Sequence, residues 1–338
     1  MRPNSRTVAL IGSESLLARE VRDIVATSGA DFGLRLVAAV EEESGALTRV
    51  GGEASIVNGL NAESLVNARA VILAGNAESS RQTLELLGEE PEAAVIDLTY
   101  TAEERPDARL RAPLVETVGE EGAAEAAVHV IAHPAAIALG LLLRRLHAND
   151  AIRSSVIQIF APASEQGELG VRELQQQTVS LFSFKNLPKA VFDTQLSFNL
   201  LARYGDEAPA ALEETEMRIE RHLASLLALA GDGEGAPMPS LRLIQAPVFH
   251  GYSFSAWVEF KEVPDLEALE SWLATEGIEV RGGDIEPPTN VGQTGQGGIA
   301  VGGITPDRNR AAAVWLWFVA DNVRLAAENA VAVARELV

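Results

Sequence analysis

The chain holds 338 residues, with 27 Lys and Arg against 48 Asp and Glu, and no cysteine. A net charge of −21 argues against nucleic acid or an anionic membrane as partner, since both call for clustered cations. The missing thiols exclude disulfides, thiolate metal centres and a cysteine nucleophile. Schiff-base chemistry is left with three lysines, Lys185, Lys189 and Lys261.

Hydrophobic residues make up 47% of the chain, which at ~150 residues per domain is enough to fill about two cores. The apolar runs 7–12, 34–40, 70–74, 94–97 and 128–132 read as strands. Stretches 16–27 and 79–87 carry helical spacing between them. Apolar strands alternating with helices predict an α/β domain with a Rossmann-type parallel sheet covered on both faces. After His133 the character changes. Residues 134–146 form a long apolar helix, 155–160, 241–246 and 252–260 are strands, and 211–230 is a helix. Polar connections are expected at 164–178 and 282–303, a flexible turn at 231–235, and a terminal helix over 315–338. The second domain is therefore α+β with a mixed or antiparallel sheet. The expected boundaries are 1–132 plus 320–338 for the first domain and 133–319 for the second. The longest apolar stretch, 135–143, is well short of the ~20 residues of a spanning helix, and no secretory signal is visible. A cytoplasmic protein is the expectation.

The corner Gly12-Ser13-Glu14-Ser15-Leu16-Leu17-Ala18 stands where strand–turn–helix folds carry a glycine-rich phosphate turn. Only Gly12 matches the pattern fully, and Ala18 is acceptable at the last position. Glu14 or Ser15 brings a Cβ to the second-glycine place, and Glu14 adds a negative charge there. Backbone amides at the helix start still suit an anion. Asn76, with Ser79 and Ser80, follows the 70–74 strand at the sheet edge where such folds bind ligands. Gly12, Ser13, Ser15, Leu16 and Asn76 are thus the candidate cofactor residues.

Six segments in order carry a family likeness. They are VALIGSESLLAREV, AVILAGNAESSRQ, VIDLTYTAEERPDARL, VIAHPAAIALGLLLRRL, IQAPVFHGYSFSAWVEF, and IAVGGITPD followed by LWFVADNVRLAAENAVAVA. Through them the chain resembles the aspartate-semialdehyde dehydrogenase family over nearly its whole length. The resemblance implies a Rossmann domain completed by the last helix, and a second domain that catalyses and dimerises. It also implies NADP as cofactor and an aldehyde oxidation of amino-acid biosynthesis.

That chemistry needs a thiolate nucleophile, a base, hydride transfer to NADP, and release of the acyl group by phosphate. By the resemblance, the nucleophile position is Ala136, within His133-Pro134-Ala135-Ala136, and the base position is Tyr252. The carboxylate clamp falls on Gln245 and the acyl-orienting glutamine on Ala161. The substrate-phosphate arginine falls at Glu103, with Arg105 two residues on, and a closing-strand arginine at Gly303. No catalytic residue of the family is left, so the expectation is a homodimeric pseudoenzyme that acts by binding or dimerisation, with NADP bound weakly or not at all. The alternative is a nucleotide-dependent oxidoreductase of altered chemistry, with Tyr252 or His250 as acid–base group; the two stand two residues apart, which on a strand puts both on one face. A third reading is a pure interaction module. His133 and His250 are either structural or an acid–base couple, or half a metal site completed by Glu259 or Asp284; no metal is expected. Ser164 lacks the sequence context of a serine nucleophile.

Overall fold

The computed structural model describes residues 6–40, 42–88, 91–116, 126–229, 235–283 and 285–338. Residues 231–234 of the expected flexible turn, and Asp284, lie outside the described residues. The backbone divides into two compact units, Met1–Ala132 with Ala326–Val338, and His133–Leu325.

The first unit is built on six parallel strands: β1 (Thr7–Ile11), β2 (Gly33–Val37), β5 (Ala70–Leu73), β6 (Ala94–Asp97), β7 (Ala108–Arg111) and β8 (Val128–Ile131), in the order β2-β1-β5-β6-β8-β7. Ala9, Ile11, Val71, Leu73, Val95, Val128 and Val130 belong to one buried cluster, which is why these strands are almost wholly apolar. Helix α1 (Leu16–Thr27) buries Ala18, Val21, Ile24 and Val25, a helical stripe, and starts at Ser15, whose side chain accepts from the Ala18 amide. Helix α3 (Ala77–Leu87) starts from a capping box between Asn76 and Ser79. Gly51 and Gly52, both at positive φ, turn an additional hairpin between β3 (Leu47–Val50) and β4 (Glu53–Ile56), ahead of the short α2 (Ala62–Leu65). The strand order reverses at β1, with β2 on one side and β5 on the other. The loops after β1 and β5 meet there so closely that a Cβ on Gly12 would lie 2.2 Å from Gly75 Cα. Gly12 also sits at φ +78°, so both close approach and backbone conformation require glycine.

The second unit carries a mixed sheet in the order β10-β9-β11-β14-β13-β12. Its strands are β9 (Ile152–Ala161), β10 (Ser240–Gln245), β11 (Tyr252–Phe260), β12 (Ile278–Arg281), β13 (Ile299–Pro306) and β14 (Ala313–Ala320). The central neighbours pair antiparallel, while the edge pairs β10–β9 and β12–β13 are parallel. Helix α4 (Pro134–Asn149) packs with α6 (Leu212–Leu227) and α7 (Leu266–Leu273) against this sheet, and is apolar nearly all round because it is buried. A short helix, α8 (Asn290–Gln293), lies beside β14.

Four expectations are corrected. Residues 164–178 are not a polar connection but a 3-10 turn (Ala163–Gln166) running into α5 (Gly167–Phe182). The buried stripe of α5 is Gly170, Glu173, Leu174 and Gln177, half of it polar, so hydrophobic spacing is silent about it. Glu173 accepts from the Val191 and Phe192 amides, and Gln177 accepts from Leu196 and Ser197 while donating to the Pro188 and Thr194 carbonyls. Residues 315–320 belong to strand β14 rather than the terminal helix. That helix, α9 (Asn322–Leu337), begins only after Asp321, whose carboxylate accepts from the Val323 and Arg324 amides. The 282–303 stretch contains α8 and the first part of β13. His250 precedes β11 instead of lying on it, and Gly251 at φ +81° breaks the alternation that would put His250 and Tyr252 on one face.

Candidate functional site

His133 caps α4 just ahead of Ala136. Its Nδ1 accepts from the Ala135 amide at 3.2 Å, so the ring presents Nε2–H outward. That Nε2 lies 2.9 Å from Glu165 Oε1, and the Tyr252 hydroxyl donates to Glu165 Oε2 at 2.7 Å. The His133 and Tyr252 rings stand edge to face with centroids 5.9 Å apart. The His133 backbone amide donates to His222 Nδ1 at 2.8 Å. Burial alone would raise the Glu165 carboxyl. The His133 ring and its hydrogen bond, the Tyr252 hydroxyl and the field of Arg218 outweigh burial and hold the carboxyl below the usual range. The result is a carboxylate braced between two donors whose own side chains are fully buried.

Ala136 places a buried methyl group in the first turn of α4. Gln245, at the end of β10, has both ends of its amide engaged. Nε2 donates to the Ala161 and Ala246 carbonyls at 2.9 and 3.1 Å, and Oε1 accepts from the Tyr204 hydroxyl at 2.7 Å. Burial, with the nearby Glu165 charge, pushes the Tyr204 phenol well above its ordinary value, so it stays a neutral donor. Ala161 offers only its carbonyl, as the last residue of β9. Ser164 is not in an open loop: it is buried in the 3-10 turn and its Oγ donates to Asn322 Oδ1 at 3.1 Å. The same Asn322 oxygen takes the Gly251 amide. The structure thus brings Ala136, Tyr252, His133 and the unanticipated Glu165 onto one small region of the second unit, with Gln245, Ala161 and Tyr204 forming a hydrogen-bonded group of their own. The arrangement can hold protons. It contains no thiol beside them.

In the first unit, the candidate cofactor residues gather at the ends of β1 and β5. Ser15 is committed to capping and also donates to the Ala74 carbonyl at 2.6 Å. Asn76 is committed to the α3 capping box. Leu16 opens α1. Glu42, which sequence reasoning passed over, lays its carboxylate on this corner. Oε1 accepts from the Glu14 amide at 3.0 Å, and Oε2 accepts from the Ala39 amide at 2.9 Å and faces the Ser13 hydroxyl at 3.4 Å. Glu14 itself pairs with Arg22 at 2.8 Å. Arg105 is held by Asp107 through two hydrogen bonds. Gly303 sits at φ +58° near a register shift in β13. Among the described residues, no three His, Asp or Glu side chains group as metal ligands. No helix among them is long and apolar enough to cross a membrane.

The signal that would have exposed Glu165 is its isolation. It is the sole charged residue between Arg153 and Glu168, directly after Ser164 and four residues past Ala161, where the resemblance puts the acyl-orienting position. Glu42 falls in the run Glu41-Glu42-Glu43, where charge alone does not single out one residue.

The family model for the semialdehyde dehydrogenase dimerisation domain matches residues 143–325. A USG-1 protein homolog of Pseudomonas aeruginosa is 38% identical over 232 residues, 67% of each chain. An aspartate-semialdehyde dehydrogenase of Rickettsia bellii is 30% identical over 218 residues, 62% of each. The matched segments therefore span about two thirds or less of these relatives. The solved structure of a probable aspartate-semialdehyde dehydrogenase from Pseudomonas aeruginosa superposes with a TM-score of 0.78 at 29% identity, over 99% of this chain and 98% of that one. Fold, sequence and the matched domain agree: the chain belongs to the semialdehyde dehydrogenase family, as an aspartate-semialdehyde dehydrogenase-like member that contains no cysteine.

Proposed function

We propose that this chain is a catalytically silent member of its family, one that works as a homodimeric binding protein. The observation that carries the reading is Ala136. The position that the family resemblance gives to the nucleophile holds a buried methyl, and a carbon–hydrogen group cannot attack a carbonyl. The groups around it do not compensate. Tyr252 is spent as a donor to Glu165, and Gln245 is saturated by Tyr204 and two backbone carbonyls, leaving no free clamp for a substrate carboxylate. Losing a nucleophile alone removes ~10⁴–10⁶ of rate in covalent catalysis.

Dimerisation is supported by the matched domain and by one face of the second unit's sheet. Val156, Trp257 and Trp315 stand in register across β9, β11 and β14, and Val156 and Trp315 are 40% and 39% exposed. Both indole N–H groups of Trp257 and Trp315 donate to Asp307 Oδ2, which holds the apolar row rigid. A rigid apolar row of this kind suits burial against a second copy.

NADP is the cofactor the family likeness implies, and the residues present do not fit it. Within the Gly12–Ser15 corner the Glu14 amide is taken by Glu42, the Gly12 and Ser13 amides by the Val37 carbonyl and the Ser15 amide by the Gly12 carbonyl, and the second carboxylate, Glu14, stands beside them. No chemical step is therefore assigned to a nucleotide.

Trapping tests the reading. The protein is incubated with aspartate semialdehyde and NADP, with phosphate omitted so that any acyl-enzyme accumulates, and its intact mass is measured. The mass is expected to stay unchanged. An added acyl group on the protein would overturn the proposal.

A further inference from the structure

The corner between the loops after β1 and β2 borders the point at β1 and β5 where the strand order reverses, the place where open α/β sheets take dinucleotides. Its donors are already engaged by the chain itself. The Glu42 carboxylate spans the Glu14 amide from one loop and the Ala39 amide from the other, with the Ser13 hydroxyl alongside. A carboxylate and a phosphate are both acceptor-only anions, so they compete for the same hydrogens. In strand–turn–helix nucleotide folds an acidic group beyond the second strand is compatible with a free ribose 2′-hydroxyl, whereas a 2′-phosphate calls for a cation there. Here that position, just past β2, is acidic. The nearby guanidinium of Arg22 is committed elsewhere: it binds Glu14, the Ser13 carbonyl, the Thr48 hydroxyl and the Arg49 carbonyl.

We infer that Glu42 excludes the 2′-phosphate of NADP from the first unit, by occupying the backbone amides at the turn and by presenting a like charge. The inference deepens the reading of a silent family member and rests on its finding that NADP does not fit. It assigns that mismatch to one side chain. Glu14 adds to the repulsion, but its charge is offset by Arg22, whereas Glu42 is held by neutral backbone and hydroxyl donors.

The test is titration calorimetry of the full-length wild type, E42Q and E42A with NADPH and with NADH, which lacks the 2′-phosphate. E42Q keeps the shape and removes the charge; E42A removes both. The expected result is that both variants gain at least ~10-fold in NADPH affinity over the wild type, with a smaller gain for NADH. Micromolar binding of NADPH by the wild type overturns the inference. So does an equal gain for the two nucleotides, or an NADPH affinity within ~threefold of wild type in both variants, undetectable binding throughout included. Should E42A melt early, E42Q decides alone, and in the wild type 2′,5′-ADP is expected to bind more weakly than 5′-ADP; equal or tighter binding overturns the inference. An unchanged NADPH affinity with no acyl adduct would sink this inference while leaving the silent-member reading in place. An acyl adduct that forms with NAD but not with NADP would do the reverse, and one that forms with NADP would overturn both.

Discussion

Glu165→Leu is expected to be among the most damaging single changes in the second unit. It removes the carboxylate that accepts from His133 Nε2 and Tyr252 Oη, at 2.9 and 2.7 Å, and leaves two buried donors facing a hydrocarbon. An orphaned buried donor costs ~1–3 kcal/mol, so the pair costs ~2–6 kcal/mol together. Tyr252→Phe removes one donor but keeps the carboxylate paired with His133; losing a single hydrogen bond to a charged group costs ~1.5–3 kcal/mol. In the double variant one orphan disappears with the phenol. Its cost should therefore fall below that of Glu165→Leu alone by ~1–3 kcal/mol, and below the sum of the singles by ~2.5–6 kcal/mol. Urea denaturation at neutral pH, followed by tryptophan fluorescence, gives all three values from their midpoints. Trp257 and Trp315 lie on the sheet of the same unit and report its unfolding. A Glu165→Leu loss under ~0.5 kcal/mol, or strictly additive singles, would refute the bracing account. The same carboxylate predicts a pH dependence. Its folded pKa is depressed, so its contribution is complete above the ordinary carboxylate value of 4.5 and is lost as pH falls through the folded value. Glu165→Gln should lack that acid limb.

Three further outcomes follow from other parts of the molecule. Burial first, then Arg111, pushes His129 from 6.5 down to about 4, so the unfolded chain takes up that proton before the folded one does. Stability should fall as pH drops from 6.5 towards 4, by at most ~3 kcal/mol, and His129→Asn should flatten that window in pH-dependent melting. Gln177→Ala removes four of the hydrogen bonds that tie residues 188–197 to α5, at ~0.5–1.5 kcal/mol each, and should raise amide exchange at Leu196 and Ser197 well above the surrounding helix. Unchanged exchange there would contradict the role given to Gln177. Trp315→Glu puts a charge into the exposed apolar row and should shift sedimentation from dimer to monomer; a dimer of unaltered affinity would remove that face from the interface.

Much of the parallel unit was legible because its chemistry is local. Fully buried strands such as 70–74 and 94–97 are short apolar runs, and Leu16–Thr27 carries its own stripe and a serine cap. Helix α5 was not legible, because its buried face is satisfied by Glu173 and Gln177 bonding to distant backbone instead of by apolar side chains. Strand β14, AVWLWFVA, is apolar on both faces, so its spacing does not separate strand from helix; the helix start is set by Asp321 capping the amides two and three residues on, a local signal that the apolar spacing overrode. At the candidate site, Ala136 and Tyr252 were visible through their motifs. Glu165, Tyr204 and Glu42 acquire meaning only from contacts across long sequence separations, such as Glu165 with Tyr252 and Tyr204 with Gln245. The two-histidine idea drew on strand alternation that Gly251 interrupts.

The central claim is that no aldehyde oxidation survives the exchange of thiol for methyl at Ala136. The most direct measurement is the initial rate of NADPH formation by the purified wild type with aspartate semialdehyde, NADP and phosphate. The account predicts no rate above the protein-free control at any substrate concentration. A saturable rate proportional to protein, of ordinary enzyme size at ~1–10³ s⁻¹, would contradict it.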